Sequence, residues 1–360
     1  MGLKVSTPKG AKDIYGKNCA LKVQIEKDLI DLFNLYGYKK IETPVTEYAG
    51  VFNKKNLNFS QKEIFRLFNN TGDVLALRAD ENIPVARHAS ILKNKNISTR
   101  YSYISNIFKD RDKGLSEYTK AGILVAGDGK PDIDAEVIVL AIRTLKEIGF
   151  DNFKISIGYA GFNKNSSINK LKGKDEVLTK ACEFTRDRKI VDSIKRLANI
   201  YRVVGYYNLL DYIDFDFGIE NKNDYYTGII FIGHFAGKKE ILLKGGRYDN
   251  LISRFGTDMP AAGFSININR MLDVINKDKQ QIKHEHVVIY TNNRRKDAII
   301  IGEYFRFKDL NIELIKNDGY SSKKDYITES YKKDALSVIF LDREKTIVVD
   351  LVNSKITNIY

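Results

Sequence analysis

The spacing of apolar residues predicts a helix near the start of the chain and strands after it. Apolar residues recur every three or four positions over 21–36, as on one face of an amphipathic helix, and Gly37 ends the pattern as a C-terminal cap would. A strand is predicted over 38–46. The run IFRLFNNTGDVLALR then predicts two strands joined by a polar turn.

A capped helix and a second pair of strands follow. Asp80 can cap a helix that runs to Leu92, with Pro84 in its first turn. The next two runs, TRYSYISNIFKD and SEYTKAGILVAG, are rich in β-forming residues and flank a charged loop. They therefore predict a long hairpin.

The middle of the chain alternates between helix and strand patterns. A helix is predicted over 131–149 and a strand over 153–159. Residues 163–215 are polar and helical in pattern, without β character, and are interpreted as a helical insertion. Strand patterns resume at 225–234 and 240–244. Hairpins interrupted by helices favour an α+β fold, an antiparallel sheet with helices on one face.

The last part of the chain predicts a separate small domain. Residues 271–285 are rich in Lys, Gln, Asp and Asn and have the composition of a linker. Four strand patterns alternate with two helical ones after it, which indicates an α/β unit. We expect a core over 1–280, with its insertion at 163–215, and a small α/β domain over 286–360.

Composition narrows the class of protein. With 43% hydrophobic and 29% charged residues, the 360-residue chain is an ordinary globular protein. Neither a run of ~20 apolar residues nor the apolar stretch of a signal peptide is found, so we expect a cytoplasmic protein with no membrane role. The two cysteines and four histidines give no metal-ligand set, and no metal is expected. The net charge of +13 is spread among acidic residues, which favours a solvated surface over a polyanion site.

Four runs pair charge with glycine or with strand ends. They are LRADENIPVARHA, the long hairpin, DYYTGIIF, and KGGRYDNLISRFG with GFSININR. Gly245 and Gly246 permit close approach of the backbone to a ligand, and Arg247 or Arg270 can hold an anion. Each has a plainer interpretation as well, since a Gly-Gly pair is usually a turn and an arginine usually faces water.

Taken in order, these runs resemble the histidyl-tRNA synthetase superfamily of class II synthetase folds, over roughly residues 5 to 280. TPKGAKDIYG is similar to the opening segment of that family, LRADEN to its Leu-Arg-Pro-Glu/Asp-x-Thr run, and the hairpin to its ATP-binding motif. DYYTGIIF and GGRYD are similar to its histidine-site segment, and GFSININR to the last class II motif. The resemblance implies a class II synthetase-like antiparallel sheet with flanking helices. The small last domain resembles a shortened anticodon-binding domain.

The chain departs from a working synthetase at its catalytic cations. By the resemblance, an arginine and a glutamate early in the hairpin bind ATP, and here these positions hold Lys109 and Arg111. A second catalytic arginine is replaced by Asn221. Cations that stabilise transition-state charge are usually the largest catalytic contribution. We therefore interpret Lys109 and Arg111 as a lost ATP site and expect no aminoacylation.

What remains resembles the other branch of the superfamily, the regulatory subunits of ATP phosphoribosyltransferase, whose Tyr-Tyr-Thr-Gly and Gly-Phe-Ser runs stand here at 225–228 and 263–265. The resemblance implies a chain with no catalysis or cofactor of its own. It would assemble with a short-form catalytic subunit, activate it in the first step of histidine biosynthesis, and contribute to feedback inhibition by histidine. A homodimer within a larger hetero-oligomer is expected. The alternatives are a paralogue that binds tRNA or senses an amino acid, and an active histidine–tRNA ligase; specific tRNA binding is not expected.

A histidine pocket can be argued from chemistry. A free amino acid needs a carboxylate for its ammonium group and a polar, aromatic-lined slot for its imidazole. The candidate residues are Asp80, Asn82, Lys120, Tyr225, Tyr226 and Arg270. Two positions oppose L-histidine, because Lys120 and Leu124 stand where the resemblance implies a glutamine and a glutamate.

Plainer roles remain open for the same residues. Asp80 can simply cap its helix, and one of Tyr225 and Tyr226 would face the core if both lay on a strand. Arg78 and Arg270 can pair with local carboxylates such as Asp80 or Asp249.

Overall fold

The predicted first helix is present as α1, Lys17–Leu35, and buries Ile25, Leu29 and Phe33. Gly37 follows in the left-handed region with φ of 77°, a conformation that glycine adopts without strain. The computed structural model describes residues 5–52, 60–91, 98–111, 114–165, 167–222, 225–235, 240–275, 285–317, 319–332 and 335–359.

The chain divides into two units, Met1–Asn276 and Lys277–Tyr360. In the first unit the further described helices are α2 Ala49–Phe52, α3 Asn82–Ile91, α4 Pro131–Glu147, α5 Glu176–Glu183, α6 Arg188–Tyr206, α7 Asn250–Ser253 and α8 Ile268–Val274. Its described strands are β1 Lys39–Lys40, β2 Thr46–Tyr48, β3 Arg66–Phe68, β4 Val74–Leu77, β5 Thr99–Arg111, β6 Gly114–Ala126, β7 Phe153–Tyr159, β8 Lys172–Gly173, β9 Ile213–Asp216, β10 Ile229–Phe235, β11 Ile241–Arg247 and β12 Ala261–Asn267. Among the described residues, no helix is both long and apolar enough to cross a bilayer.

A nine-stranded sheet organises the first unit, in the order β1-β5-β6-β12-β11-β10-β7-β9-β8. Its central pairs, from β5 to β7, are antiparallel, while β1 pairs with β5 and β9 with β7 in parallel. A smaller antiparallel sheet is ordered β2-β4-β3. The hairpin predicted from the two β-rich runs is confirmed as β5 and β6, which pair in register from Thr99 with Ala126 to Arg111 with Gly114.

Residues on β6 alternate between two hydrophobic clusters, as a strand buried on both faces requires. Ile123 and Val125 pack with the apolar face of α4 and with α1 and α6. Leu124 and Ala126 pack instead with residues of α3, α7 and the small sheet. Lys120 shares the parity of Leu124, and it therefore belongs to the second face.

The predicted strand over 38–46 is wrong beyond its first residues, since β1 has two residues. The carbonyl groups of Thr43 and Pro44 accept hydrogen bonds from the Arg78 guanidinium instead of from a neighbouring strand. Pro44 also has no N–H to donate to a ladder. A buried side chain thus takes the place of the predicted ladder.

The segment 163–215 contains α5 and α6, as its pattern predicts, but it is not free of strands. The two-residue strand β8 lies inside it, and β9 begins at Ile213 and pairs with β7. The helical pattern hid these strands because each is four residues or shorter.

The second unit contains a five-stranded sheet in the order β14-β13-β15-β16-β17. Its described elements are β13 Glu285–Tyr290, α9 Arg295–Phe307, β14 Asn311–Lys316, α10 Lys323–Lys332, β15 Ala335–Leu341, β16 Thr346–Asp350 and β17 Lys355–Ile359. The sequence patterns predict these elements except β17, an exposed and polar edge strand. Of the predicted linker 271–285, the part up to Val274 belongs to α8, and residues 276–284 lie outside the described residues.

Candidate functional site

Two residues 40 positions apart in sequence meet on the second face of the large sheet. The Lys120 ammonium on β6 lies 2.7 Å from Oδ2 of Asp80, which precedes α3. Their side chains are 11% and 6% exposed. Burial opposes the charge of Lys120, but Asp80, with Tyr118 and Glu81 acting in the same direction, outweighs this effect and raises the pKa of the lysine above its ordinary value. The two form a buried ion pair.

The second oxygen of Asp80 is used at the start of α3. Oδ1 accepts a hydrogen bond from the N–H of Asn82 at 2.8 Å, which satisfies one of the backbone donors that a helix leaves unpaired at its first turn. The capping role expected of Asp80 is therefore confirmed, and the same carboxylate also holds Lys120.

The Asn82 side chain connects this pair to two tyrosines. Its amide oxygen accepts from the Tyr103 hydroxyl at 2.7 Å, and its Nδ2 donates to the Tyr225 hydroxyl at 3.5 Å. Tyr103 lies on β5 and is fully buried. Asn82 is thus fixed from both sides by phenol groups.

Two further aromatic rings, those of Tyr226 and Tyr248, pack against Tyr225. The ring centroids of Tyr225 and Tyr226 are 5.0 Å apart, and those of Tyr225 and Tyr248 are 5.5 Å apart. Burial raises the pKa of all three phenols, so they are neutral at physiological pH. Among the described residues, the Tyr248 hydroxyl has no hydrogen-bond partner.

Tyr225 and Tyr226 do not lie on a strand, and the interpretation that one of them faces the core by alternation is wrong. Both are buried, and β10 begins after them at Ile229. Asn221 holds this turn, since its Nδ2 donates to the Tyr226 carbonyl at 2.8 Å and its Oδ1 accepts from the Tyr226 N–H at 3.0 Å. The residue at the position of the second synthetase arginine therefore shapes the backbone. The neighbouring residues 223–224 lie outside the described residues.

A second buried ion pair lies next to Asp80. Arg78 Nε is 2.9 Å from Glu81 Oε2, and the other Glu81 oxygen accepts from the Thr43 hydroxyl at 2.8 Å. Burial raises the pKa of Glu81 to about 7, although Arg78 acts in the opposite direction. The pairing of Arg78 with Asp80 that the sequence left open is replaced by pairing with Glu81.

Lys109 and Arg111 occupy the outer part of β5. Lys109 is buried, and its ammonium lies 3.3 Å from Glu63. Burial lowers the pKa of Lys109 below its ordinary value. Arg111 is the last residue of β5, and its side chain lies outside the described residues.

Arg270 stands apart from the other pocket candidates. Its Nε donates to Glu240 at 3.1 Å and its Nη1 to the Ile241 carbonyl at 3.3 Å, while half of its side chain remains exposed. It lines a cavity of about 540 Å³ together with Gly10, Ala11, Lys12, Glu117, Asn267, Asn269 and Asp273. The structure thus brings together Asp80, Asn82, Lys120, Tyr225 and Tyr226, and leaves Arg270 in different surroundings.

Comparison with known proteins identifies the family of the chain. The histidyl-tRNA synthetase family model matches residues 10–166 and 163–271. An ATP phosphoribosyltransferase regulatory subunit from Ruminiclostridium cellulolyticum is 33% identical, over 98% of this chain and 96% of the relative. One from Acetivibrio thermocellus is 30% identical, over 90% of each chain.

The chain belongs to the family of ATP phosphoribosyltransferase regulatory subunits. A solved structure titled ATP phosphoribosyltransferase regulatory subunit/histidyl-tRNA synthetase, from Bacillus halodurans, superposes with a TM-score of 0.82 at 24% identity and covers 95% of this chain and 99% of its own. A histidyl-tRNA synthetase from Nostoc superposes with a TM-score of 0.80 at 17% identity, over 99% and 97% of the two chains. The predicted class II synthetase-like fold is confirmed.

Two residues of the site in this regulatory-subunit family member, Tyr103 and Tyr248, were not predicted from the sequence. Tyr103 could have been identified from its position in the hairpin run. Its hydrogen bond to Asn82 is visible only in the structure. Tyr248 had a weaker sequence signal. It follows Arg247 in a run that was interpreted from its charged residues and glycines. Arg247, which the sequence offered as an anion-binding residue, is paired within the fold instead. Its Nε donates to Asp134 at 2.8 Å and its Nη1 donates to Asp249 at 3.0 Å.

Proposed function

We propose that the chain is a non-catalytic regulatory subunit that assembles with a short-form ATP phosphoribosyltransferase catalytic subunit and activates it. Relatives of this name match nearly the whole chain. A role without catalysis is supported by the residues at two positions that the resemblance assigns to catalytic cations of a synthetase. Lys109 is buried in an ion pair with Glu63, and Asn221 is neutral and holds the backbone of Tyr226.

Stabilising the charge of a reacting phosphate requires preorganised cations that point at it. An ammonium already paired with a carboxylate has part of its charge neutralised, and an amide has none to offer. Adenylation of an amino acid is therefore disfavoured at this site. The chain instead contributes to histidine biosynthesis through its partner, and feedback inhibition by histidine acts on the assembly of the two.

The direct test is formation of phosphoribosyl-ATP by the cognate short-form catalytic subunit, with and without this chain. We expect a stimulation that saturates near stoichiometric amounts, together with co-elution of the two proteins in gel filtration. The same chain after thermal unfolding is the control. Absence of stimulation by the cognate partner would reject the activating role.

A second assay separates regulation from ligase activity. Histidine-dependent exchange between ATP and pyrophosphate reports adenylation in a synthetase. We expect no exchange above the blank, and exchange at a rate typical of a synthetase would favour the histidine–tRNA ligase alternative.

We also propose that the chain forms a homodimer. Apolar side chains are exposed on the small sheet, and two of them, Phe68 and Val74, are cross-strand partners on the same face. A two-fold contact places the same patch of both copies together. Light scattering should give a dimer mass for the chain and a lower mass for Phe68→Lys. The exposed neighbour Arg66→Ala is the control, and a monomer mass for the unaltered chain would reject the dimer.

A further inference from the structure

We propose that Lys120 is a built-in occupant of the position where a ligand's ammonium group would bind, and that it closes this pocket to free α-amino acids, L-histidine included. This inference concerns the ligand chemistry of the pocket and does not depend on activation of a catalytic subunit. Lys120 then determines the ligand specificity of the pocket, because its own ammonium group pairs with Asp80 in place of the ammonium group of a ligand.

The first reason is the geometry of the carboxylate. Lys120 Nζ lies 2.7 Å from Asp80 Oδ2, a charge-assisted hydrogen bond between two buried groups. The other oxygen, Oδ1, accepts from the Asn82 N–H. Each oxygen of Asp80 therefore already has a donor, and an incoming ammonium would have to share the carboxylate with the Lys120 ammonium.

The second reason is charge. Asp80 is the carboxylate that contacts Lys120, and the nearby Glu81 is paired with Arg78. A ligand ammonium would place two cations beside one carboxylate in a site with little water to screen their repulsion. The tyrosine hydroxyls around them are neutral and cannot compensate.

The third reason is the lining on the same face of the sheet. Leu124 is fully buried, lies opposite Gly263 in the ladder, and packs in the cluster that contains Tyr225 and Tyr226. An imidazole N–H directed at this side would lose its water and meet carbon, and burying such a donor without an acceptor is unfavourable. The pocket thus opposes both the ammonium and the imidazole of histidine.

The competing interpretation is an ordinary buried ion pair that merely stabilises the fold. Both leave a carboxylate-ended vacancy when the lysine side chain is shortened, so recovery with an alkylammonium shows only that the vacancy can be filled. Lys120→Ala removes three carbons and the ammonium, which is the composition of n-propylammonium, and this ion can fill the vacancy. The two differ in whether the opened site takes a free α-amino acid: calorimetric titration of Lys120→Ala with glycine should give saturable heat if Lys120 occupies a ligand's subsite, and no heat if the pair only stabilises the fold.

The experiment measures the melting temperature of the full chain by circular dichroism, at increasing n-propylammonium chloride and at equal tetramethylammonium chloride. For Lys120→Ala we expect a lowered melting temperature and a saturable recovery with n-propylammonium, since a ligand that binds the folded state stabilises it. Tetramethylammonium, which has no N–H, should give no recovery. Lys120→Met fills the vacancy without a charge and should not respond to either salt, and Lys109→Ala is the control for a different buried lysine.

Calorimetric titration of the unaltered chain with L-histidine is the second measurement, and it needs no variant to fold. We expect no saturable heat at millimolar histidine. Saturable heat that Asp80→Asn abolishes would overturn the proposal, because the pocket would then take the amino acid with Lys120 in place. Equal responses of Lys120→Ala and Lys120→Met to n-propylammonium would also overturn it.

Discussion

Replacing Asp134 with asparagine should destabilise the first unit strongly. The Asp134 carboxylate is fully buried in the first turn of α4 and accepts from Arg196 Nε at 2.7 Å and from Arg247 Nε at 2.8 Å. Arg247 is 3% exposed, so the variant leaves a buried guanidinium beside a neutral amide. Asparagine has nearly the volume of aspartate, and the change therefore removes charge without opening a cavity.

The expected magnitude follows from the remaining contacts. Removing one partner of a buried ion pair typically destabilises a protein by about 3–5 kcal/mol. Arg247 keeps Asp249 at 3.0 Å and the carbonyl of Asp128, and Arg196 is 23% exposed. These contacts place the loss near the lower end, about 3 kcal/mol. For a unit of this size, that loss corresponds to a melting temperature lower by roughly 6–12 °C.

The measurement is urea unfolding of the full chain, followed by circular dichroism and by tyrosine fluorescence, since the chain has 21 tyrosines and no tryptophan. Asp132→Asn is a matched control, because Asp132 lies in the same first turn and is exposed. It should lose only its interaction with the helix dipole, about 0.3–1 kcal/mol. Hydrogen exchange should also increase in α4 and α6, the helices that Arg196 links.

The reasoning is refuted if the two variants differ by less than about 1 kcal/mol, the size of an exposed ion pair. Arg196→Met gives an independent check. It removes one arginine and leaves Asp134 paired with Arg247, so its loss should lie between those of the two aspartate variants.

Three further outcomes are expected. Burial raises the Glu81 pKa to about 7 from an ordinary 4.5, so the stability that protonated Glu81 contributes is lost as the pH rises through 7. Between about pH 5.5 and 8 the unaltered chain should lose about 2 kcal/mol more than Glu81→Gln in urea unfolding, and equal losses would contradict this. A Cβ on Gly122 would lie 2.4 Å from the Phe264 carbonyl oxygen and 2.6 Å from the Tyr103 hydroxyl. Gly122→Ala should therefore lower the free energy of unfolding by about 1–3 kcal/mol, whereas Gly50→Ala, with nothing within 4 Å, should not lower it. Filter binding at physiological salt should show no submicromolar affinity for histidine tRNA, because the positive charge is distributed among acidic residues, and such affinity would support the tRNA-binding alternative.

The sequence pattern predicted correctly those helices and strands that depend on the order of apolar and polar residues within the element itself. The α4 helix follows its apolar periodicity from Pro131, and β7 matches its pattern at both ends. The predicted strand over 38–46 failed because its carbonyl groups bond to Arg78, more than 30 residues away. No periodicity records a contact of that kind.

The same distinction, between residues set by a short motif and contacts set by the three-dimensional fold, applies to the site. Asp80, Asn82 and the two adjacent tyrosines were predictable because short motifs contain them. The contact of Asp80 with Lys120 depends on how β6 lies against the start of α3, which the sequence does not record. Arg270 was grouped with these residues by its motif, yet its position after β12 directs it to Glu240.

Three polar side chains at positions that depart from the synthetase pattern share a physical property: each has a hydrogen-bonded or charged partner inside the fold. Lys109 pairs with Glu63, Asn221 holds the Tyr226 peptide, and Lys120 holds Asp80. Arginine at position 109 could still pair with Glu63, whereas a cation at position 221 would remove a structural contact. Arginine at position 221 would remove both hydrogen bonds that the Asn221 amide makes to the Tyr226 backbone. If the chain lacks adenylation as proposed, regaining it would require changes at several of these positions together.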